Sequence, residues 1–282
     1  MKTCKIACLL CGLIGLSISS YAATEEGFVS LFDGETLKGW NAARSSGEGD
    51  WGCFSVNTEE QAIHVYAGLE DGTEQIHDCL VSEKQFSHYI LRMEYKWLEN
   101  RFAPRIDWDR DGGLLFHVHG DLRQVWPNSF EMQIGETPGH INGKSKDYWN
   151  GRKPNRFHSG DFFTIPPNEH LRSQSTRKGH LWDPNGKLLP ITGPCLTPFG
   201  VEKPKGEWNE MEIRVLGHKK ATFILNGEVV YEVINMEQKV GDHFVPLDKG
   251  HIGLQAESAE LLYRKIRIKE LDAVEAANMT SE

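Results

Sequence analysis

Glu131 and Gln133 alternate with Phe130, Met132 and Ile134 in the short stretch FEMQI. A carboxylate between two large apolar residues is costly unless its own face meets water or a ligand. A second alternation precedes it, with Leu114, Phe116 and Val118 opposed to Leu115, His117 and His119. A third lies near the end of the chain, where Ile252, Leu254 and Ala256 oppose His251, Gly253, Gln255 and Glu257. Pleated strands send successive side chains to opposite faces. If the three strands share a sheet, one polar face therefore gathers His117, His119, Glu131, Gln133, Gln255 and Glu257. Imidazoles and carboxylates together can move protons or hold a first-row divalent cation, and amides bind hydroxyls. The competing reading of His117 and His119 is a pair of ordinary half-exposed histidines.

The elements that must position these groups are strands. Windows of strand character fall at 51–56, 62–66, 80–82, 86–98, 114–119, 130–134, 162–165, 208–216, 221–225, 228–234, 251–256 and 261–271. Asn226-Gly227 between two apolar runs is a strong hairpin signal. Helical periodicity is limited to one short turn near the C-terminus, and strands do not alternate with helices. The pattern predicts an all-β sandwich, jelly roll or barrel. Two stretches interrupt it: the charged, aromatic run 100–111, and 138–204, where only one strand is legible. Long irregular segments of this kind usually carry function. Tyr148, Trp149, Phe157 and Trp182 in the second could stack on sugar rings, or could simply pin the loop to the sheet.

The chain has 282 residues, 39% of them hydrophobic, and a formal net charge of −9. That balance disfavours sequence-independent nucleic-acid binding, which needs a basic footprint. Lys2 and Lys5, an apolar run over 6–18, and Ser20-Tyr21-Ala22 make a secretory signal with a small-x-small cleavage site. The run is short for a membrane span. The expected organisation is a signal peptide over 1–22, a single domain over 27–272 and a tail over 273–282, in a periplasmic or extracellular protein. Cys53, Cys79 and Cys195 remain after the leader. Their odd number and lack of a CxxC pair favour ordinary thiols over structural zinc, although one disulfide is permitted.

Five stretches in order resemble the 3-keto-disaccharide hydrolase family. FVSLFDGETLKGW (28–40) is similar to its opening motif, and RFAPRIDWDRDGGLLFHVHG (101–120) to its central FAPR and RDSG elements. VWPNSFEMQI (125–134), GEWNEMEIRVLG (206–217) with the Asn226-Gly227 hairpin, and HIGLQAESAELLYRKIRIKEL (251–271) complete the set. Gly112 stands where Ser is more usual, and Gln255-Ala256-Glu257-Ser258 replaces a form that often carries His. The resemblance implies a concanavalin A-like jelly roll of two curved antiparallel sheets with long loops and a groove on the concave face. It also implies action on glycosides or disaccharides oxidised at C3, where the ketone acidifies the C2 proton and permits elimination of the glycosidic oxygen.

For that chemistry His117, Glu131 and Glu257 are the expected acid–base groups, or the ligands of a divalent metal, with no organic cofactor. Lys96 or Arg105 would stabilise the enolate, and Gln133, Gln255, His119, Arg105 and Trp149 would bind substrate. Two alternatives stay open. EMQIGE (131–136) resembles the double-carboxylate strand of laminarinase-type retaining glycosidases. Gln133 replaces its middle acid, however, and Glu136 falls where the strand should end. A non-catalytic carbohydrate-binding module on the same scaffold is the other.

Overall fold

The computed structural model describes residues 25–47, 49–136, 157–166, 170–179, 181–191, 194–197 and 201–280. The expected signal segment, Tyr148 and Trp149 lie outside them. The strands, in chain order, are β1 (Val29–Ser30), β2 (Trp40–Ala42), β3 (Phe54–Asn57), β4 (Ala62–Val65), β5 (Asp78–Ser82), β6 (His88–Arg101), β7 (Asp111–His119), β8 (Asn128–Gly135) and β9 (Phe162–Ile165). They continue as β10 (Leu171–Lys178), β11 (Leu181–Trp182), β12 (Lys187–Pro190), β13 (Asn209–Leu216), β14 (Lys220–Leu225), β15 (Glu228–Val240), β16 (His243–Pro246), β17 (His251–Ala256) and β18 (Ala259–Glu270). A helix, α1 (Ala273–Thr280), comes last. Asp272 Oδ1 caps it by accepting from the N–H groups of Val274 and Glu275, and Glu275 bonds back to the N–H of Asp272.

Every strand pair between named elements is antiparallel, and the strands form two sheets of a jelly-roll sandwich. The smaller runs β2-β5-β17-β7-β8-β9, and the larger runs β11-β10-β15-β14-β13-β6-β18-β4-β3 with β1, β12 and β16 along its edges. One face of each is apolar. Leu114, Phe116, Phe130, Met132, Ile134, Ile252 and Leu254 of the smaller sheet bury against Leu91, Met93, Ile213, Phe223, Tyr231 and Tyr263 of the larger. Phe162 and Tyr231 stack across the gap, ring centroids 5.3 Å apart and 2° from parallel. Asn226 and Gly227 both have positive φ and turn β14 into β15, as the dipeptide predicts.

Two local features depart from the sequence reading. Within 138–204 the chain adds β10, β11 and β12 to the larger sheet. In β10 the buried positions are Leu171, Ser173 and Ser175, so the inward set is mostly hydroxyl and shows no apolar period. The second departure is in β7. His117 has φ 52°, and the register against β8 shifts between Phe116 and His119. This is a β-bulge, and one extra residue moves the next side chains along the strand to the other face. Val118 accordingly joins Leu115, Cys79 and Val81 in a small outer cluster instead of the core. Gly250 makes room for the bulge, since a Cβ there would stand 2.4 Å from the His117 carbonyl carbon. Cys53, Cys79 and Cys195 are all free thiols.

Candidate active site

The polar face lies on the outer side of the smaller sheet, away from the sandwich core. β7 and β8 pair Gly113 with Gln133 and Leu115 with Glu131. β17 flanks β7 on the other side, pairing Leu254 with Leu114 and Gly253 with Leu115. Glu257, just past the end of β17, bridges to Asp111. The result is a cavity of about 260 Å³ whose floor carries Asp111, Glu131, Gln133, Gln255 and Glu257. Arg105 and Trp108 rise on one side and Trp126 from the loop after β7, while Phe157, Phe163, Ile165 and Pro166 complete the wall.

The loop between β6 and β7 is held from below. Phe102 is fully buried against Tyr66, and its N–H bonds the Ser258 carbonyl at 2.9 Å. Arg110 clamps the far end, bonding the Glu99 carbonyl at 2.7 Å and the Glu136 carboxylate at 2.8 Å. Between these anchors Arg105 Nη1 reaches Asp111 Oδ2 at 3.0 Å and Glu257 Oε2 at 2.6 Å. Gln133 donates to the other oxygen of Asp111, and the Trp126 indole N–H to the other oxygen of Glu257. Both carboxyls are thus fully engaged.

Glu131 differs. It is 3% exposed, and no hydrogen bond to its carboxyl is found among the described residues. Burial, with the carboxyls of Glu257 and Asp111 nearby, pushes its pKa well above the ordinary carboxyl range. Asp111 is also raised, by burial first and then by Glu257, although Arg105 and Gln133 pull the other way. With three carboxyls and one guanidinium packed together, burial and mutual repulsion favour the neutral form of Glu131, the one of the three with no hydrogen-bond donor among the described residues. Gln255 Oε1 is buried without a partner beside it. Both oxygens crowd the space over Gly113, where a Cβ would stand 2.0 Å from Glu131 Oε1 and 2.1 Å from Gln255 Oε1.

The structure therefore brings together six residues picked out in the sequence: Arg105, Glu131, Gln133, Phe157, Gln255 and Glu257. It separates three others. His117, turned by the bulge, is fully buried and bonds the Gly217 carbonyl of the opposite sheet through Nε2 at 3.0 Å. Burial lowers its pKa to about 4, so the ring is neutral. His119 is half-buried and bonds the His117 carbonyl through Nδ1 at 2.8 Å, outside the cavity. Lys96 belongs to the larger sheet, where Tyr95 and Trp97 point into the core and Lys96 points out. There it pairs with Glu60 at 2.9 Å and sits over the Trp208 ring. The expected metal set of His117, Glu131 and Glu257 is consequently not assembled, and Arg105 occupies the cation position between Asp111 and Glu257. Among the described residues no cluster of His, Cys, Asp and Glu has the arrangement to hold a metal ion.

Asp111, Trp108 and Trp126 line the cavity without having been singled out. Asp111 was legible: it lies two and four residues before Gly113 and Leu115, so extending the alternation backwards reaches it. Trp126 belongs to a loop, and no periodicity marks it. Glu136 pairs with Arg110 and does not line the cavity, so the Glu131/Glu136 arrangement of retaining enzymes is not formed. Trp182 packs near Tyr231 instead of the cavity.

No curated protein matches the chain. Among solved structures, two candidate glycosyl hydrolases from Parabacteroides distasonis resemble it. One has 16% identity, covering 88% of this chain and 95% of that one, with a TM-score of 0.49. The other has 19% identity, covering 86% and 99%, with a TM-score of 0.49. The carbohydrate-binding module CBM66 of Bacillus subtilis has 12% identity, covering 82% and 96%, with a TM-score of 0.44. A family model described as the 3-keto-alpha-glucoside-1,2-lyase-like domain matches residues 27–269, and the chain belongs to that family.

Proposed function

We propose that the protein cleaves glycosidic bonds in sugars oxidised at C3, by elimination followed by addition of water. The observation that carries this reading is the pairing of a buried carboxyl with no hydrogen-bond partner among the described residues (Glu131), its pKa raised, with an Arg105-anchored carboxylate (Glu257) in one small cavity. The volume of about 260 Å³ suits one pyranose ring better than a chain. Glu257 takes the C2 proton, and the electron pair of that C–H bond forms the C2=C3 enolate. The Arg105 guanidinium offsets the charge on the enolate oxygen. The enolate then collapses: C3=O re-forms, C1=C2 forms, and the C1–O bond breaks. Glu131 gives its proton to the leaving oxygen. Water then adds across C1=C2: its oxygen bonds C1 as Glu131 takes up one of its protons, and Glu257 returns its proton to C2, which completes net hydrolysis and restores both carboxyls. Gln133 and Gln255 supply hydroxyl contacts. The leader pattern over residues 1–22 supports a periplasmic or extracellular location.

The test is a paired assay of a 3-keto glucoside and its unmodified parent. Turnover confined to the 3-keto substrate, and lost in Glu131→Gln, is the expected result. Release of the aglycone from both at equal rate overturns the elimination mechanism. Sugar binding that survives in Glu131→Gln, with no turnover by the wild type, supports a carbohydrate-binding module instead.

A further inference from the structure

Two indoles at the cavity mouth have no part in the proton transfers above. Trp108 is 37% exposed and Trp126 is 41% exposed, and both line the cavity. Each is tied to Glu257, from opposite sides. Trp126 donates its indole N–H to Glu257 Oε1. Trp108 lies against the Arg105 guanidinium, 5.0 Å from carbon to ring centroid, and Arg105 in turn grips Glu257 Oε2. Behind Trp126, His77 meets the ring edge-on at 5.5 Å and 70°. His77 Nε2 also lies 2.7 Å from the hydroxyl of Ser258, the residue after Glu257. An indole fixed at its N–H, braced from behind and left open on the cavity side is placed to receive a ring, not to fill the core.

We infer that Trp126 and Trp108 form a leaving-group subsite for a flat ring, and that Trp126 is a positioning residue that holds Glu257 while the ring docks. The inference rests on the reading of Glu257 as the base. The saccharide being cleaved occupies the cavity, and the group beyond the scissile oxygen lies across the indoles. An aryl group and a second pyranose both offer such a face; a methyl group does not. Docking also covers the bond between the Trp126 N–H and Glu257, and a hydrogen bond withdrawn from water is electrostatically stronger.

The experiment measures kcat and KM for three 3-keto glucosides with phenyl, glucosyl and methyl leaving groups. The proteins are wild type, Trp126→Phe, Trp126→Ala and Trp108→Ala. The wild type should favour a ring-bearing leaving group over methyl by about tenfold in kcat/KM. The phenyl and glucosyl arms show which kind of ring is preferred. Phenoxide leaves more readily than methoxide with or without a subsite, so the reading is the change in the ratio: Trp126→Ala should lower the ring-to-methyl ratio of kcat/KM about tenfold, and Trp108→Ala by less. Trp126→Phe should keep the ratio while lowering kcat for all three leaving groups with KM little changed, because the carboxylate has lost the donor that holds it in place. Equal kcat/KM for all three leaving groups in the wild type overturns the subsite, as does an intact preference in Trp126→Ala. An unchanged kcat in Trp126→Phe overturns the positioning role. If none of the compounds is turned over, calorimetric titration of the same series separates the two claims. Tighter binding of ring-bearing glucosides, lost in Trp126→Ala, supports the subsite while the elimination reading fails; equal or undetectable binding overturns the subsite.

Discussion

Glu131 and Gln255, from strands on either side of β7, bring their side-chain oxygens together over the bare Cα of Gly113. Two acceptor oxygens meeting in a buried space repel unless one carries a proton. Burial first, then the carboxyls of Glu257 and Asp111, raises the pKa of Glu131 and favours its neutral form, and Gln255 Oε1 is buried without a hydrogen-bond partner.

Gly113→Ala should therefore strike the site itself. The φ of Gly113 is not positive, so the backbone tolerates alanine, but the new Cβ would stand 2.0 Å from Glu131 Oε1 and 2.1 Å from Gln255 Oε1. The expected outcome is a loss of about 100-fold or more in kcat/KM, with a stability cost of about 1–3 kcal/mol from overpacking. Steady-state kinetics and urea unfolding on the same preparation check both.

Glu131→Gln should separate activity from stability. The amide cannot transfer a proton, so the rate should fall by about 10²–10⁴-fold. Stability should respond in the opposite sense as pH rises. The folded pKa of Glu131 is raised above its ordinary value of 4.5. Between the two values the unfolded chain has lost a proton that the folded chain keeps, so wild-type stability declines with increasing pH in that range. The variant should show a shallower decline, the part that remains coming from Asp111 and Asp161, whose pKa values burial also raises. Urea midpoints measured from pH 4 to 8 would show it, and parallel curves for the two proteins would contradict the assignment.

Arg105→Met leaves Asp111 and Glu257 facing each other without a cation. Removing one partner of a buried ion pair costs roughly 3–5 kcal/mol, and the partial exposure of Arg105 reduces this to about 2–3 kcal/mol at neutral pH. The loss should shrink on acidification, when the carboxyls take up protons. Activity should also fall, because the enolate loses its countercharge. A destabilisation that is the same at pH 5 and pH 8 would argue against the carboxyl cluster.

His117→Ala should behave in the reverse way to Glu131→Gln. His117 lies outside the cavity and anchors β7 to the Gly217 carbonyl of the other sheet. Removing the ring should cost about 1–3 kcal/mol and leave kcat and KM of the folded enzyme unchanged. The folded pKa is lowered from 6.5 to about 4, so wild-type stability is fully present above pH 6.5 and is lost as pH falls towards 4. The variant should lose less over the same range. A kcat reduced more than tenfold at full folding would return His117 to the mechanism.

The parity of side chains was legible wherever a strand stayed regular. Phe130, Met132 and Ile134 face the core and Glu131 and Gln133 face out, and the same holds for Ile252, Leu254 and Ala256 against Gln255. Alternation is a property of the extended backbone and needs no partner strand. The Asn226-Gly227 turn was equally local, because positive φ at both positions is set by those two residues. Three things were decided only in the folded state. His117 adopts φ 52° because the register against β8 and the close approach of Gly250 require a bulge there, and nothing in the order of residues marks it. Lys96 alternates correctly along β6, but which sheet β6 joins is a matter of long-range pairing with β13 and β18. The raised pKa of Glu131 is set first by its burial and then by the carboxyls of Glu257, brought up from far along the chain, and Asp111 of the neighbouring strand. Local backbone chemistry thus determined the polar face, whereas Coulomb interactions and sheet register, both tertiary quantities, decided which of its members meet and which of them holds a proton.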